Sequence, residues 1–242
     1  MKKNTYDDEK FFMQYSAMDR STKGLAGAGE WHALQPLLPD FSGKRVLDLG
    51  CGFGWHCRYA AEQGASYVLG VDSSRKMLAV ARENTPFDTV EYRLSGIEDF
   101  AFPENGFNTV ISSLALHYVK DFHALCRKVK ATLTPGGSFV FSVEHPIFTA
   151  QGPQDWHHSD TGDRAHWPVD GYFSEGERSA VFLGETVAKY HKTITTYVNG
   201  LVKAGFSITA LVEPQPDPAM MDIPGMADEM RRPMMLIVTA KT

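Results

Sequence analysis

Cysteine is scarce. Cys51, Cys57 and Cys126 are the only three among 242 residues. Their spacings are neither C-x-x-C nor a zinc pattern, so no disulfide framework and no metal is expected, and a reducing, cytoplasmic setting fits. Long hydrophobic runs are missing too. No stretch approaches the ~18 apolar residues of a membrane span. The segment Met1-Lys2-Lys3-Asn4-Thr5-Tyr6-Asp7-Asp8-Glu9 has no apolar run behind its lysines, which excludes a secretory signal. An excess of positive charge is also lacking: 24 Lys+Arg stand against 29 Asp+Glu, a formal net charge of -5. No global field therefore draws the chain to nucleic acid or to an anionic membrane. Internal repeats and low-complexity tracts are absent.

What is present is a packed globular composition, 43% hydrophobic and 22% charged, over a length that suits one sizeable α/β domain. Residues 1–40 read as helical segments broken at Gly24–Gly29, with Trp31, Leu34, Leu37 and Leu38 at helical spacing. From residue 44 strands and helices alternate: strand 46–49, helix 53–62, strand 67–71, a helix to residue 83 capped by Ser73 or Ser74, strands 89–94 and 107–112, helix 122–133, and strand 138–143. This alternation predicts a doubly wound, mostly parallel sheet with ligands at the strands' C-terminal edge. Residues 145–184 lose the pattern. Trp156, Trp167 and Tyr172 among Gly, Pro and Asp suggest a hydrophobic lid, or a surface excursion with its own aromatic core. Residues 185–203 read as a helix, and 208–212 and 235–239 as two last strands joined by a proline-rich loop. The whole is expected to be one domain: a 1–40 helical cap, a 44–144 core, a 145–184 insertion, and a 185–242 tail.

The chemistry concentrates where the first strand ends. Asp48-Leu49-Gly50-Cys51-Gly52-Phe53-Gly54 closes a strand and opens a helix. Glycines there allow a tight turn and a bare approach to the backbone, and the helix N-terminus offers free N–H groups. Asp72 ends the next strand and can accept both hydroxyls of a ribose. A dinucleotide fingerprint needs a small residue at position 55. Trp55 stands there, which counts against a nicotinamide-dependent oxidoreductase.

In that order and spacing, residues 44–144 resemble the class I (Rossmann-like) S-adenosylmethionine-dependent methyltransferases, of small-molecule bacterial type. Val46 to Gly54 resembles their first motif, Val71-Asp72 their ribose-binding acid, and Ile97-Glu98-Asp99-Phe100 their adenine-contacting segment. Residues 107–112 resemble their fourth strand, and Leu133-Thr134-Pro135-Gly136-Gly137 the turn before the fifth. The resemblance implies seven strands in the order 3-2-1-4-5-7-6, with the seventh antiparallel. It also implies S-adenosyl-L-methionine as cofactor, S-adenosyl-L-homocysteine as product, and in-line methyl transfer to a small-molecule acceptor. Gly96 and Asn108 stand where the family often carries Asp. RNA or another macromolecule is the alternative acceptor, although Ser112-Ser113-Leu114-Ala115 lacks the motif that grips a base amine.

The cofactor is accordingly expected at Tyr15, Arg20, Asp48, Gly50, Cys51, Gly52, Asp72, Ser73, Met77, Gly96, Ile97, Glu98, Ser112 and Leu114. Arg20 is the candidate partner of the cofactor carboxylate. His117, His145 and His191 are candidate catalytic groups, because histidine titrates near neutral pH. His117 is read as facing the cofactor. His191 is read on the apolar face of a helix with Val187, Ile194 and Val198. Tyr118, Glu144, Trp156, Trp167 and Tyr172 are the expected acceptor contacts. A monomer or homodimer is expected.

Overall fold

A computed structural model describes residues 4–242. Lys2 and Lys3, on which the reading of the N-terminal segment rests, lie outside the described residues. Among the described residues the strands are β1 (Arg45–Leu49), β2 (Tyr67–Asp72), β3 (Val90–Leu94), β4 (Phe107–Ser113), β5 (Leu133–Glu144), β6 (His157–His158), β7 (Arg164–His166), β8 (Gly176–Phe182), β9 (Glu185–His191), β10 (Ser207–Val212) and β11 (Met235–Lys241). The helices are α1 (Glu9–Ser16), α2 (Asp19–Thr22), α3 (Trp31–Leu34), α4 (Trp55–Glu62), α5 (Arg75–Glu83), α6 (Phe122–Thr132), α7 (Pro146–Thr149), α8 (Ile194–Lys203) and α9 (Met226–Glu229).

Seven strands form one sheet in the order β10-β11-β5-β4-β1-β2-β3. β1, β2, β3, β4 and β5 pair in parallel, and β11 is antiparallel to both its neighbours. Counted in chain order along this sheet, the strands run 3-2-1-4-5-7-6, as the resemblance implied. The central strands are apolar on both faces because helices cover both. On one face Leu47, Leu49, Phe139, Phe141 and Val143 pack with α6 and α8 through Phe122, Leu125, Tyr197 and Leu201. On the other, Val46, Val68 and Ile111 meet Cys57 and Ala60 of α4 and Leu78 of α5. Side chains fix where the helices begin: Ser74 accepts from Met77 N, Asp121 from Ala124 N and Thr193 from Thr196 N.

Several elements depart from the sequence reading: the connection between β10 and β11, expected to be a loop without helix, holds the short helix α9, and β5 already starts at Leu133, ahead of the expected turn at 134–137. Residues 185–203 are not a single helix: 185–191 is β9, and only Ile194–Lys203 is helical. Burial along Glu185–His191 alternates, with Val187, Lys189 and His191 inward. A spacing of four, as between Val187 and His191, fits both a helix and a strand, and the buried Lys189 disguised the two-residue period. β9 pairs with β8, from Gly176↔His191 to Phe182↔Glu185. Leu183 (φ 51) and Gly184 (φ 73) make the left-handed two-residue turn between them. The stretch 145–184 is therefore not wholly irregular: it holds α7, the β6–β7 pair and the first strand of this hairpin.

Candidate functional site

β1, β2 and β4 end on one edge, where their loops open a cavity of about 1050 Å³. The first wall is the turn after β1. Gly50 (φ 76) and Gly52 (φ 52) line it in the left-handed region. A Cβ on Gly50 would stand 2.3 Å from that of Ala115, so only glycine lets the turn pass under the loop that follows β4. Gly54 (φ 77) caps α4, and a Cβ there would meet the Tyr92 hydroxyl at 2.1 Å.

Asp72 stands beside this turn. Gly52 N donates to its Oδ2 at 2.9 Å and Ser74 N to its Oδ1 at 2.8 Å. Each oxygen keeps a lone pair, so the carboxylate can still accept two sugar hydroxyls. Burial raises its pKa from the usual carboxylate value, against the pull of the backbone N–H groups. Ser73, Met77, Gly96, Ile97, Glu98 and Leu114 line the same cavity. Asp99, part of the segment that resembles the adenine-contacting one, lines it too, as does Ser113, which was not expected there. Leu114 sits at φ 49, held by its N–H on Ser142 O at 2.9 Å.

Three of the expected cofactor contacts stand behind this wall rather than on it. Asp48 is 1% exposed and accepts from the Cys57 thiol at 3.3 Å; burial pushes its pKa up to about 7. Ser112 donates to Leu49 O at 2.7 Å. Asp48 and Ser112 thus brace the turn from below. Cys51 lines not the main cavity but a recess of about 50 Å³ behind the turn. Arg20, Ser21, Trp55 and His56 also line that recess. Ser21 Oγ, Trp55 Nε1 and His56 Nε2 are buried there without a hydrogen-bond partner among the described residues. Arg20 reaches the main cavity as well and pairs with Glu30 at 3.5 Å, while Ser113 Oγ donates to the same Glu30 oxygen at 2.9 Å. Burial, the largest influence, would raise the Glu30 pKa, but Arg20 together with the hydrogen bonds from the backbone and from Ser113 holds the acid below its ordinary value. A buried pair of this kind costs about 3–5 kcal/mol to break from one side.

The N-terminal segment closes over the cavity. Asn4 Nδ2 donates to Ser73 Oγ at 3.0 Å, and Ser74 Oγ donates to Asp7 at 2.7 Å. The Tyr6 and Tyr118 hydroxyls share a 2.9 Å hydrogen bond, and Tyr15 packs edge-on against Tyr6. Tyr6 was not legible as a site residue. The opposite roof is the β8–β9 hairpin: Phe182, Thr186, Val187 and Ala188 line the cavity, and Phe182 packs against Phe11 of α1.

The histidines separate. His117 lines the cavity, and its Nδ1 accepts from Glu144 N at 3.4 Å. Burial pulls its pKa down to about 4, so near pH 7 the ring is neutral with its proton on Nε2. His117 thus shows the cavity an N–H donor rather than a base. His145 and His191 do not line the cavity. His145 is fully buried: its Nδ1 accepts from Ile147 N at 3.1 Å to cap α7, and its Nε2 stands 2.8 Å from Glu213. His191 has both ring nitrogens engaged, Nδ1 with the Thr149 hydroxyl and Nε2 with Tyr172 O, each at 2.8 Å.

Glu144 does reach the cavity. Its two oxygens accept from Lys189 Nζ at 2.6 Å and from Gln154 Nε2 at 2.8 Å. Against the burial that would raise it, His117 and Lys189 hold its pKa below the ordinary value. Trp156, Trp167 and Tyr172 do not line the cavity. Trp167 stacks on Phe148 at 5.0 Å and meets Trp156 edge-on, with the Arg232 guanidinium 4.2 Å from the Trp167 ring centre. Tyr172 packs on His191. The two tryptophans thus cover each other and Phe148, and Tyr172 covers His191, which fits small aromatic clusters rather than a lid.

An open turn carrying left-handed glycines, a carboxylate at the next strand's end and a deep adjoining cavity are the features a nucleoside-cofactor site needs on a doubly wound sheet. Residues 47–141 match the family profile described as a methyltransferase domain. A protein from Listeria monocytogenes, described as an S-adenosylmethionine-dependent methyltransferase, is 55% identical. The match covers 90% of this chain and 99% of that one, at a TM-score of 0.87. An uncharacterized protein from Haemophilus influenzae is 30% identical over 251 residues, 98% of this chain and 96% of that one. The tRNA U34 carboxymethyltransferase of Hahella chejuensis is 35% identical over 117 residues, 47% of this chain and 36% of that protein. The chain belongs to the class I, Rossmann-like S-adenosylmethionine-dependent methyltransferases. It is an enzyme whose cofactor is S-adenosylmethionine. Among the described residues no helix is long and apolar enough to cross a membrane.

Proposed function

We propose that the chain methylates a small-molecule acceptor held in the same cavity as the cofactor. One observation carries this reading. Gly50, Gly52, Asp72 and Ile97 line one cavity of about 1050 Å³ with Tyr118, His117 and Glu144, and residues of the N-terminal segment and of the β8–β9 hairpin line it too. Enclosed sites for small ligands typically span about 300–1,000 Å³, so there is room for a nucleoside and a modest second molecule. The net charge of -5 points the same way.

The cofactor brings a methyl group already activated on a sulfonium, whose sulfur keeps the bonding electron pair when the methyl leaves. The chain's residues bind, orient and exclude water. Asp72 accepts the two ribose hydroxyls. Ile97 packs on the base, with Glu98 and Asp99 beside its amine. Arg20, kept cationic by Glu30, takes the carboxylate at the amino-acid end, where the recess behind the turn offers further unpartnered donors. Tyr6, Tyr118 and His117 fix the acceptor's reacting atom in line with the methyl carbon, and closure of both roofs keeps water out. His117 does so as a donor. Glu144, tied to Lys189, orients acceptor N–H or O–H groups rather than drawing a proton from a weakly acidic one.

RNA is the second reading, favoured by the partial likeness to a tRNA carboxymethyltransferase. The two are separated by incubating the protein and methyl-labelled S-adenosylmethionine with a bacterial extract split into a small-metabolite filtrate and total tRNA. Label is expected in the filtrate. Label confined to tRNA would refute the small-molecule reading.

A further inference from the structure

Beyond Glu144 the cavity changes character. β5 and β11 pair so that Met235 lies opposite Glu144, and His145 N donates to Met234 O at 2.9 Å. This carries the wall directly from the acceptor edge into the segment between β10 and β11. From there Pro214, Pro216, Met220, Ile223, Pro224 and Met226 line the cavity, with Met234 and Met235. Ile223 lies on that wall 41% exposed. Methionine walls are pliable and take apolar bodies of varied outline, and prolines keep such a wall free of competing N–H donors.

The arginines beside the wall are each paired with an acid. Arg164 pairs with Asp228 at 2.8 Å, as does Arg231 at 2.9 Å. Arg232 holds Glu229 through two contacts, at 2.8 and 3.2 Å. Asp217 accepts from Ala219 N. The same pairs fasten α9 to β7, because Arg231 also donates to Arg164 O and Ala165 O. An anionic ligand would find Arg164, Arg231 and Arg232 already paired, and a cationic one would find Asp228 and Glu229 taken, with Asp217, held by a backbone N–H, outside these pairs. An apolar one would cover surface that now faces open cavity.

From this continuity we infer the class of acceptor: an uncharged molecule with an extended apolar body, lying along the methionine–proline wall with its reacting head at Tyr118, His117 and Glu144. The inference rests on the small-molecule reading and narrows it. It also assigns the loop between β10 and β11 a role in acceptor specificity.

The test uses the whole protein saturated with S-adenosylhomocysteine, so that the adenosine edge is filled. N-phenyl-1-naphthylamine, an uncharged dye that brightens in apolar surroundings, is titrated in. One saturable site is expected. Ile223→Asp and Met226→Asp should each weaken dye binding at least tenfold while leaving S-adenosylmethionine affinity within about twofold. Both positions are at the cavity wall and outside the sheet core, and thermal unfolding checks that each variant folds. The absence of saturable binding, or binding that both folded variants retain, overturns the inference. Its failure is distinct from failure of the small-molecule reading. Methyl transfer to a short polar metabolite with no dye site would sink only the apolar body, whereas label confined to tRNA would sink the reading itself.

Discussion

Replacing Asp72 with alanine should abolish tight cofactor binding without unfolding the protein. The carboxylate sits at the end of β2 with one backbone N–H on each oxygen, from Gly52 and from Ser74. Two ribose hydroxyls would complete it. A hydrogen bond to a charged acceptor contributes about 1.5–3 kcal/mol, so losing two removes about 3–6 kcal/mol, or two to four orders of magnitude in Kd. The Gly52 and Ser74 N–H groups also lose their acceptor, which adds to the loss by loosening the turn. Calorimetric titration with S-adenosylmethionine measures the effect, and unfolding of the apo-protein shows whether the fold survives. Asp72→Asn is the second variant. It keeps one carbonyl acceptor but turns an NH2 toward a backbone donor, and it should fall between wild type and alanine. A folded Asp72→Ala protein with affinity within threefold of wild type would refute the ribose assignment.

Two further expectations concern the frame of the site. Gly54→Ala forces a Cβ to within 2.1 Å of the Tyr92 hydroxyl at φ 77, so it should destabilise the protein by more than about 2 kcal/mol in chemical denaturation; a near-neutral effect would mean that the turn is not fixed as described. His117 should make stability acid-sensitive. Its folded pKa is about 4 against an ordinary 6.5, so between those values the unfolded chain binds the extra proton and stability falls as pH drops. At pH 5 that loss is about 2 kcal/mol relative to pH 7.5. His117→Asn should therefore gain about that much on wild type between the two pH values, and an unchanged difference would show that the imidazole titrates normally.

Much of this fold is visible in the bare sequence because the first two core strands are short, largely apolar runs ending at a glycine or an acid. Val46 to Leu49 stops at Gly50, and Tyr67 to Val71 stops at Asp72. The wall built from Gly50, Gly52, Asp72, Ile97 and Glu98 follows from that order. What was not legible lies where side chains serve contacts made far along the chain. Lys189 reads as a surface residue until Glu144 and Gln154 are seen to hold it. His191 looked helical because a spacing of four belongs to both periods. His145 and the tryptophans looked functional by type, yet their partners Glu213, Phe148 and Arg232 turn them away from the cavity. The methionine–proline wall carries no periodic signal, because a loop lines a cavity by its path rather than by its pattern.

A crystal structure of the protein with S-adenosylhomocysteine tests the central claim most directly. The ribose hydroxyls should lie within hydrogen-bond reach of both Asp72 oxygens, with the adenine against Ile97 and the amino-acid end beside Arg20. A ligand bound elsewhere, or one in place with Asp72 turned away from its sugar, would contradict the account.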